Sequence, residues 1–379
     1  MCKTARKIMA RTRVYLDWAA TAPMHPQAAA AVAEACARLA AGDWANPSSV
    51  HAPGRAARRA LEEARARIAA RLGVPTGSIL FTSGGTEAIA LGLAGAPPGP
   101  RLVGATEHPA VRAASPGARP VPVDSAGRID PDALAALLAA AGGPALVAIQ
   151  HANNETGVIQ DAATIAEVVH AAGGLWLADC VQTAGKLPLP EGADMIVVSA
   201  HKLGGPPGVG ALILRERARF SPPQPGGGQE GGLRGGTENL PGILGFAAAL
   251  EALEEGWAER LRPLQRLLED AVCAAGGEVN AASAPRLATV SSIRLAGLAA
   301  ATQLMALDLA GVAVSQGSAC SSGTLRPSET LLAMGLAAAA SESLRVSTGW
   351  GTSEADIARF LDAWRPLAAR ARRVGRRAA

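Results

Sequence analysis

Lys202 is one of four lysines in a chain that carries thirty-two arginines, and it follows Ser199-Ala200-His201 at the end of the apolar run Met195-Ile196-Val197-Val198. Arginine replaces lysine as a solvated cation, but a guanidinium keeps its proton in a protein and cannot act as an amine nucleophile. A lysine retained against such a bias, between a strand-like run and the loop Gly204-Gly205-Pro206-Pro207-Gly208, points to Schiff-base chemistry. A solvated surface lysine is the competing reading. Upstream, Leu175-Trp176-Leu177-Ala178 runs into Asp179, with Gln182 three residues further on. A carboxylate at the end of an apolar strand is costly unless a cation meets it, and a protonated pyridine nitrogen is such a cation. A lysine for the aldehyde and an aspartate for the ring nitrogen are what pyridoxal 5'-phosphate (PLP) requires of its protein.

Other polar loops follow strand-like runs. Ile79-Leu80-Phe81-Thr82 leads through Ser83-Gly84 into Gly85-Thr86-Glu87 and a helical pattern. Free N–H groups at a helix start, joined by the Thr86 hydroxyl, bind phosphate, although an ordinary capped turn has the same pattern. The spacing is neither Gly-x-Gly-x-x-Gly nor that of a nucleotide-binding Gly-Lys-Ser/Thr loop. His108, in Thr106-Glu107-His108-Pro109, has a ring that can stack on a flat ligand or move a proton, and a structural histidine is the alternative. Asn153 and Asn154 offer amides to a ligand, and both are also common turn residues. In the stretch Gly226–Thr237, Arg234 and Thr237 suit a phosphate better than they suit a flexible linker. Cys320 lies among small polar residues in Gly317-Ser318-Ala319-Cys320-Ser321-Ser322, with Arg326 nearby. That setting favours a reactive thiolate over an inert buried thiol.

Alternating strand-length and helix-length runs must position these residues. Strands are predicted at 79–82, 101–105, 145–150, 174–178, 194–199 and 210–214, with helices at 26–41, 54–72, 86–94, 131–141 and 161–172. This alternation implies crossovers and a mainly parallel sheet covered on both faces, an α/β domain. A long helical run is expected over roughly 242–274. A smaller α+β domain follows, with strands at 287–294, 312–315 and 343–347 and helices near 300–310, 328–337 and 353–373. The division reads as an extension over 1–13, a large domain over 14–250 and a small domain over 251–379.

Composition excludes several classes. The 379 residues carry a formal charge of +4, and much of the excess sits at the two ends, in Lys3, Arg6, Lys7, Arg11 and Arg13 and in Arg372, Arg373, Arg376 and Arg377. Such runs are usually solvated, and no nucleic-acid motif accompanies them. Cys2, Cys36, Cys180, Cys273 and Cys320 are odd in number and lack any Cys-x-x-Cys pair, which argues against a disulfide framework or a zinc site and for a reducing, cytoplasmic setting. No apolar run is long enough to span a membrane.

Taken in order, the motifs resemble those of one family. Tyr15-Leu16-Asp17 with Ala20-Thr21, Asn46–His51, Phe81–Glu87, Thr106-Glu107-His108, Asn153-Asn154-Glu155, Asp179 with Gln182, Ser199–Lys202, Gly226–Glu230, Arg234–Thr237, Gly317–Cys320 and Arg345 are similar to those of the cysteine desulfurases. These are PLP enzymes of the class V aminotransferase group with the type I fold, and the likeness runs from Tyr15 to the final helix. The resemblance implies that Lys202 holds the cofactor and moves protons at the substrate carbons. It implies that His108 stacks on the ring and acts in acid/base steps, and that Asp179 meets the ring nitrogen. Gln182 and Asn154 would face the ring oxygen and the polar atoms near it. The phosphate would fall to Gly85, Thr86, Ser199 and His201, with Thr237 supplied by the other subunit of a homodimer. Arg345 and Asn154 would hold the substrate, L-cysteine, and Cys320 would take its sulfur as a persulfide, releasing L-alanine and passing the sulfur to an acceptor such as an iron–sulfur scaffold or a tRNA-thiolation enzyme. Trp18, Gly235 and Trp350 depart from the family pattern. A lyase or aminotransferase acting on selenocysteine or another amino acid, and an idle protein that binds sulfur carriers, are the alternatives. Cys320 in its Gly-Ser-Ala-Cys loop favours sulfur transfer over the first, and Lys202, Asp179 and Arg345 argue against the second.

Overall fold

The computed structural model describes residues 13–224, 226–317 and 326–378. After β1 (Val14–Tyr15), the apolar runs form β2 (Ile79–Thr82), β3 (Arg101–Gly104), β4 (Arg119–Val121), β5 (Leu146–Ala148), β6 (Leu175–Asp179), β7 (Met195–Ser199) and β8 (Gly210–Leu214). Strands β2 to β8 make one seven-stranded sheet in the order β2-β8-β7-β6-β5-β3-β4. Neighbours are parallel except at β8, which runs antiparallel to both β2 and β7. A parallel return needs a crossover of a dozen or so residues; the link at 200–209, which carries Lys202, is shorter, so β8 turns back on β7.

Alternate residues of single strands enter different apolar clusters. Ile196 and Val198 pack on one face of the sheet with Phe81, Trp176 and Ile213. Met195 and Val197 pack on the other with Leu80, Leu177 and Leu212. Covered on both sides, the sheet confines its polar groups to the strand ends, where α/β proteins build their sites. The helix Ala52–Leu72 shows how the sequence sets these layers. Ala57, Leu61, Ala64 and Ile68 recur at helical spacing and are buried, and Gly73 ends the helix in the left-handed conformation.

Three details differ from the sequence expectation. The run over 242–274 is two helices, Leu240–Ala252 and Arg262–Ala274. Leu253 is extended and Gly256 has φ +67°, and Pro263 in the first turn of the second helix restarts it, so apolar periodicity alone could not show the break. The short helix Pro109–Ala113 and strand β4 were not anticipated. Strand β4 contains Pro120, which a sheet tolerates at its edge, where β4 lies. Residues 14–16, expected to open the large domain, pack instead with the C-terminal part.

That part contains β9 (Glu278–Val279), β10 (Val290–Arg294), β11 (Val312–Ala313) and β12 (Ser343–Ser347). Strands β12, β10 and β9 form an antiparallel sheet, and β1 pairs in parallel with β11. Val14 and Leu16 are buried with Ile293, Leu307, Leu344, Phe360 and Trp364. A two-residue strand has little hold on a sheet by itself, so this apolar cluster fixes where the chain from Asp17 to Ala22 crosses the molecule. No described helix is long and apolar enough to cross a membrane.

Candidate active site

A cavity of about 530 Å³ lies at the carboxyl ends of the central strands. Gly85, Thr86, His108, Asn154, Asp179, Gln182, Ser199, His201, Lys202 and Arg345 all line it. Thr237 does not; it borders a separate cavity of about 90 Å³ with Arg234, Glu230 and Glu238. Cys320 lies outside the described residues, but Ser315, Gln316 and Gly317, which lead to it, border the main cavity.

Lys202 ends a single turn of 3-10 helix after β7, and its Nζ donates to the carbonyls of Ala19 and Ala20 at 2.9 and 2.8 Å. Burial, assisted by Arg345, pushes its pKa down to about 8 against the opposing pull of Asp179 and Asp17. The amine is thus far readier to lose its proton than an exposed lysine. Asp179 ends the neighbouring strand β6, and one carboxylate oxygen accepts the Val181 N–H at 2.9 Å. Burial pushes its pKa up to about 6, opposed by that hydrogen bond and by Lys202. An acid held this way gains from a cationic partner in the cavity.

His108 caps the helix Pro109–Ala113, its Nδ1 accepting the Ala110 N–H at 3.1 Å. With Nδ1 accepting, the hydrogen-bond network assigns the proton to Nε2. Burial, then Lys202 and Arg112, lowers its pKa and keeps the ring neutral. His201, paired through Nδ1 with Thr21 Oγ1 at 3.1 Å, is pushed down to about 4 by burial and Lys202.

The helix Gly85–Gly95 opens toward the cavity with no side-chain cap on its first turn. Gly84 has φ +152°, and a β-carbon there would lie 3.9 Å from Ser199 Oγ. Bare N–H groups, the Ser199 and Thr86 hydroxyls and a neutral His201 form a corner suited to an anion. Gln182 Nε2 donates to Ala19 O at 3.0 Å, while its Oε1 is buried without a partner. An orphaned buried acceptor awaits a donor.

On the opposite wall, Arg345 in β12 donates to Asp17 Oδ1 at 2.7 Å and to the Asn154 carbonyl at 3.0 Å, and its buried Nε has no partner. A planar, always-charged fork of this kind suits a carboxylate. Asn154 Nδ2 reaches the Gly317 carbonyl at 3.5 Å.

Three acids escaped functional assignment in the sequence although each falls inside a quoted motif. Asp17 pairs with Arg345 across 328 positions. Glu107 is buried, and one of its oxygens accepts the Gln150 N–H at 2.6 Å. Burial first, then the charge of Asp179, raises its pKa well above the carboxylate range. Glu155 is buried beside the stretch that leads to Cys320. Each lies in a short loop beside or after a strand, but Glu107 and Glu155 stand among other polar residues, so no local signal set them apart.

Residues 14–360 match the family "Aminotransferase class-V". A cysteine desulfurase of Frankia sp. (strain EuIK1) is 41% identical, the alignment covering 91% of this chain and 88% of that protein. An IscS-like cysteine desulfurase of Mycobacterium tuberculosis is 39% identical over 96% of this chain and 98% of its own length. Among solved structures, a NifS-like protein from Rickettsia africae ESF-5 superposes with a TM-score of 0.84 at 30% identity, covering 94% of this chain and 99% of that one. The chain belongs to the class V aminotransferases, and within them to the cysteine desulfurases. The seven-stranded sheet is accordingly the type I fold of PLP enzymes.

Proposed function

We propose that this cavity binds PLP and L-cysteine and that the chain moves the substrate sulfur onto Cys320, releasing L-alanine. Lys202 and Asp179 carry this reading. They stand at the carboxyl ends of adjacent parallel strands and share one cavity with a buried arginine. The surrounding residues fit the cofactor: an uncapped helix start for the phosphate, Asp179 for the ring nitrogen, the orphaned Gln182 oxygen for a ring donor and neutral His108 for the ring face. When bound, PLP supplies an electron sink for the amino acid it holds.

The protein's own groups do the rest. Lys202 Nζ anchors the cofactor and, once freed, moves the proton at the substrate Cα. His108 Nε2 holds a proton within the same cavity. Arg345 and Asn154 bind the substrate carboxylate. The Cys320 thiolate attacks the substrate Sγ, so that an S–S bond forms and the Cβ–Sγ bond breaks. The electron pair stays on carbon and takes up a proton as the methyl group of alanine. L-Cysteine and a thiol thus become L-alanine and a persulfide, and no outside oxidant is needed. Thr237, away from this chain's cavity, serves the partner subunit's phosphate in a homodimer. An acceptor protein then takes the sulfur.

A single turnover of the reduced, PLP-loaded protein with L-cysteine tests this. Alanine equal to the sites present, with the sulfur mapped to Cys320, is expected. PLP bound without either product overturns the assignment to cysteine, and selenocysteine is then the substrate to try.

Replacing Asp179 by Asn removes the charge facing the ring nitrogen while keeping the shape. Alanine formation is expected to fall about 10²–10³-fold, the usual scale for losing one preorganised electrostatic group. Covalent attachment of PLP to Lys202 should persist, as read by mass after borohydride reduction.

A further inference from the structure

We propose that Glu155 is a positioning residue that fixes both ends of the segment carrying Cys320, and so sets where the thiol meets the substrate. This rests on Cys320 being the sulfur acceptor. Glu155 sits in a rigid buried turn, in which Asn153 Oδ1 accepts the N–H groups of Glu155 and Thr156 at 2.9 Å each. Its side chain touches the described chain on both sides of 318–325. Upstream, Gly317 has φ +93°, and a β-carbon there would lie 2.9 Å from Glu155 Cγ. Downstream, the Ser328 hydroxyl donates to Glu155 Oε2 at 2.5 Å and the Thr330 hydroxyl to Oε1 at 3.2 Å.

A second tie joins the same two ends. Gln316 Nε2 donates to the Arg326 carbonyl at 2.9 Å. The upstream end is also linked to the carboxylate-binding wall, because Ser315 exchanges backbone hydrogen bonds with Arg345 at 2.6 and 3.2 Å. Arg345 in turn donates to the carbonyl of Asn154, next to Glu155.

The consequence is geometric. Cys320 is only three positions from Gly317 in sequence, so the anchored glycine is close along the chain to the residue proposed to react. A misplacement of about 1 Å at reacting atoms can cost about 10²-fold. A carboxylate is a demanding choice for the post. Burial raises its pKa, while the Ser328 hydroxyl, Arg345, the Thr330 hydroxyl and Arg112 act in the opposite sense. What two-sided apolar packing would not supply is acceptance of two hydroxyls on one side while the stem of the same side chain backs a glycine on the other.

The test compares Glu155→Ala, Glu155→Gln and the wild type as PLP-loaded full-length proteins. Three readouts are taken: L-cysteine affinity from the cofactor absorbance, single-turnover persulfide on Cys320, and amide hydrogen exchange at 315–317 and 326–332. Glu155→Ala should lower persulfide formation at least about tenfold, leave L-cysteine affinity within about threefold, and speed exchange at those two segments. Glu155→Gln keeps one acceptor oxygen and should recover a large part of the rate. Unchanged persulfide formation despite faster exchange overturns the proposal, as does an equal loss of L-cysteine affinity, which would mean that Glu155 acts through Arg345. Should Glu155→Ala not fold, Thr330→Val and Ser328→Ala each remove one hydroxyl partner, and the same comparison decides. A wild type that forms no persulfide on Cys320 would instead sink the functional reading beneath it.

Discussion

Replacing Lys202 by alanine is expected to abolish covalent attachment of PLP and to lower alanine formation at least about 10⁴-fold, since the proposed function makes one amine both nucleophile and proton carrier. Its setting makes the effect large. The Nζ is held by two carbonyls that offer it no charge, and burial and Arg345 lower its pKa to about 8. A lowered pKa means that the neutral amine gains as pH rises through about 8 and changes little above it. At pH 7, a drop from 10.5 to about 8 raises the neutral fraction by roughly two orders of magnitude. Attachment of PLP to cofactor-free protein should therefore quicken with pH and level off beyond about 8, whereas an exposed lysine would keep quickening to its ordinary pKa near ~10.4. Lys186 is the other lysine among the described residues, and burial pushes it down to about 7. It does not line the cavity. Mapping the reduced adduct to Lys186 would overturn the assignment, and a pH curve that still climbs beyond 10 would contradict the buried setting.

A Cys320→Ala chain should still attach PLP and bind L-cysteine, yet form alanine at least about 10⁴-fold more slowly, the scale of removing a covalent nucleophile. None of the cysteines among the described residues is placed to stand in. Cys180 is fully buried, and burial raises its thiol far out of the reactive range. Cys36 and Cys273 are exposed on helices and do not line the cavity. Cys273 is also raised by burial and by the charges of Glu269 and Asp270. Mass mapping of the bound sulfur, together with alanine release, checks the outcome. A persulfide on another cysteine, with alanine near wild-type yield, would remove Cys320 from the reaction.

Most of the sheet was legible because each strand is a short apolar run between polar loops, and the site was legible where chemistry left a local mark. Lys202 stood out by its scarcity and Asp179 by ending an apolar strand. Arg345, read from the family likeness, has as its actual partner Asp17, 328 positions away, and no local spacing encodes such a contact. Glu155 looked like one more residue of an Asn-rich turn, since its meaning lies in Gly317 and Ser328. The break within 242–274 hid for a related reason. Both helices share one apolar periodicity, and a single glycine conformation with a later proline separates them.

The path of the segment from Tyr15 to Ala22 has a consequence for synthesis on the ribosome. Ala19 and Ala20 hold Lys202, Ala19 also receives Gln182, and Asp17 engages Arg345, while β1 finds its strand partner only at Val312. These early residues leave the ribosome long before the partners that fix them. All seven strands of the large sheet, with Lys202 and Asp179, precede β12 in the chain, and the wall formed by β12 is absent until residues 343–347 have emerged. Contacts of such sequence separation form late. The cavity that holds Lys202 is therefore completed only after residues 343–347 have emerged, so the lysine is not fully framed before then.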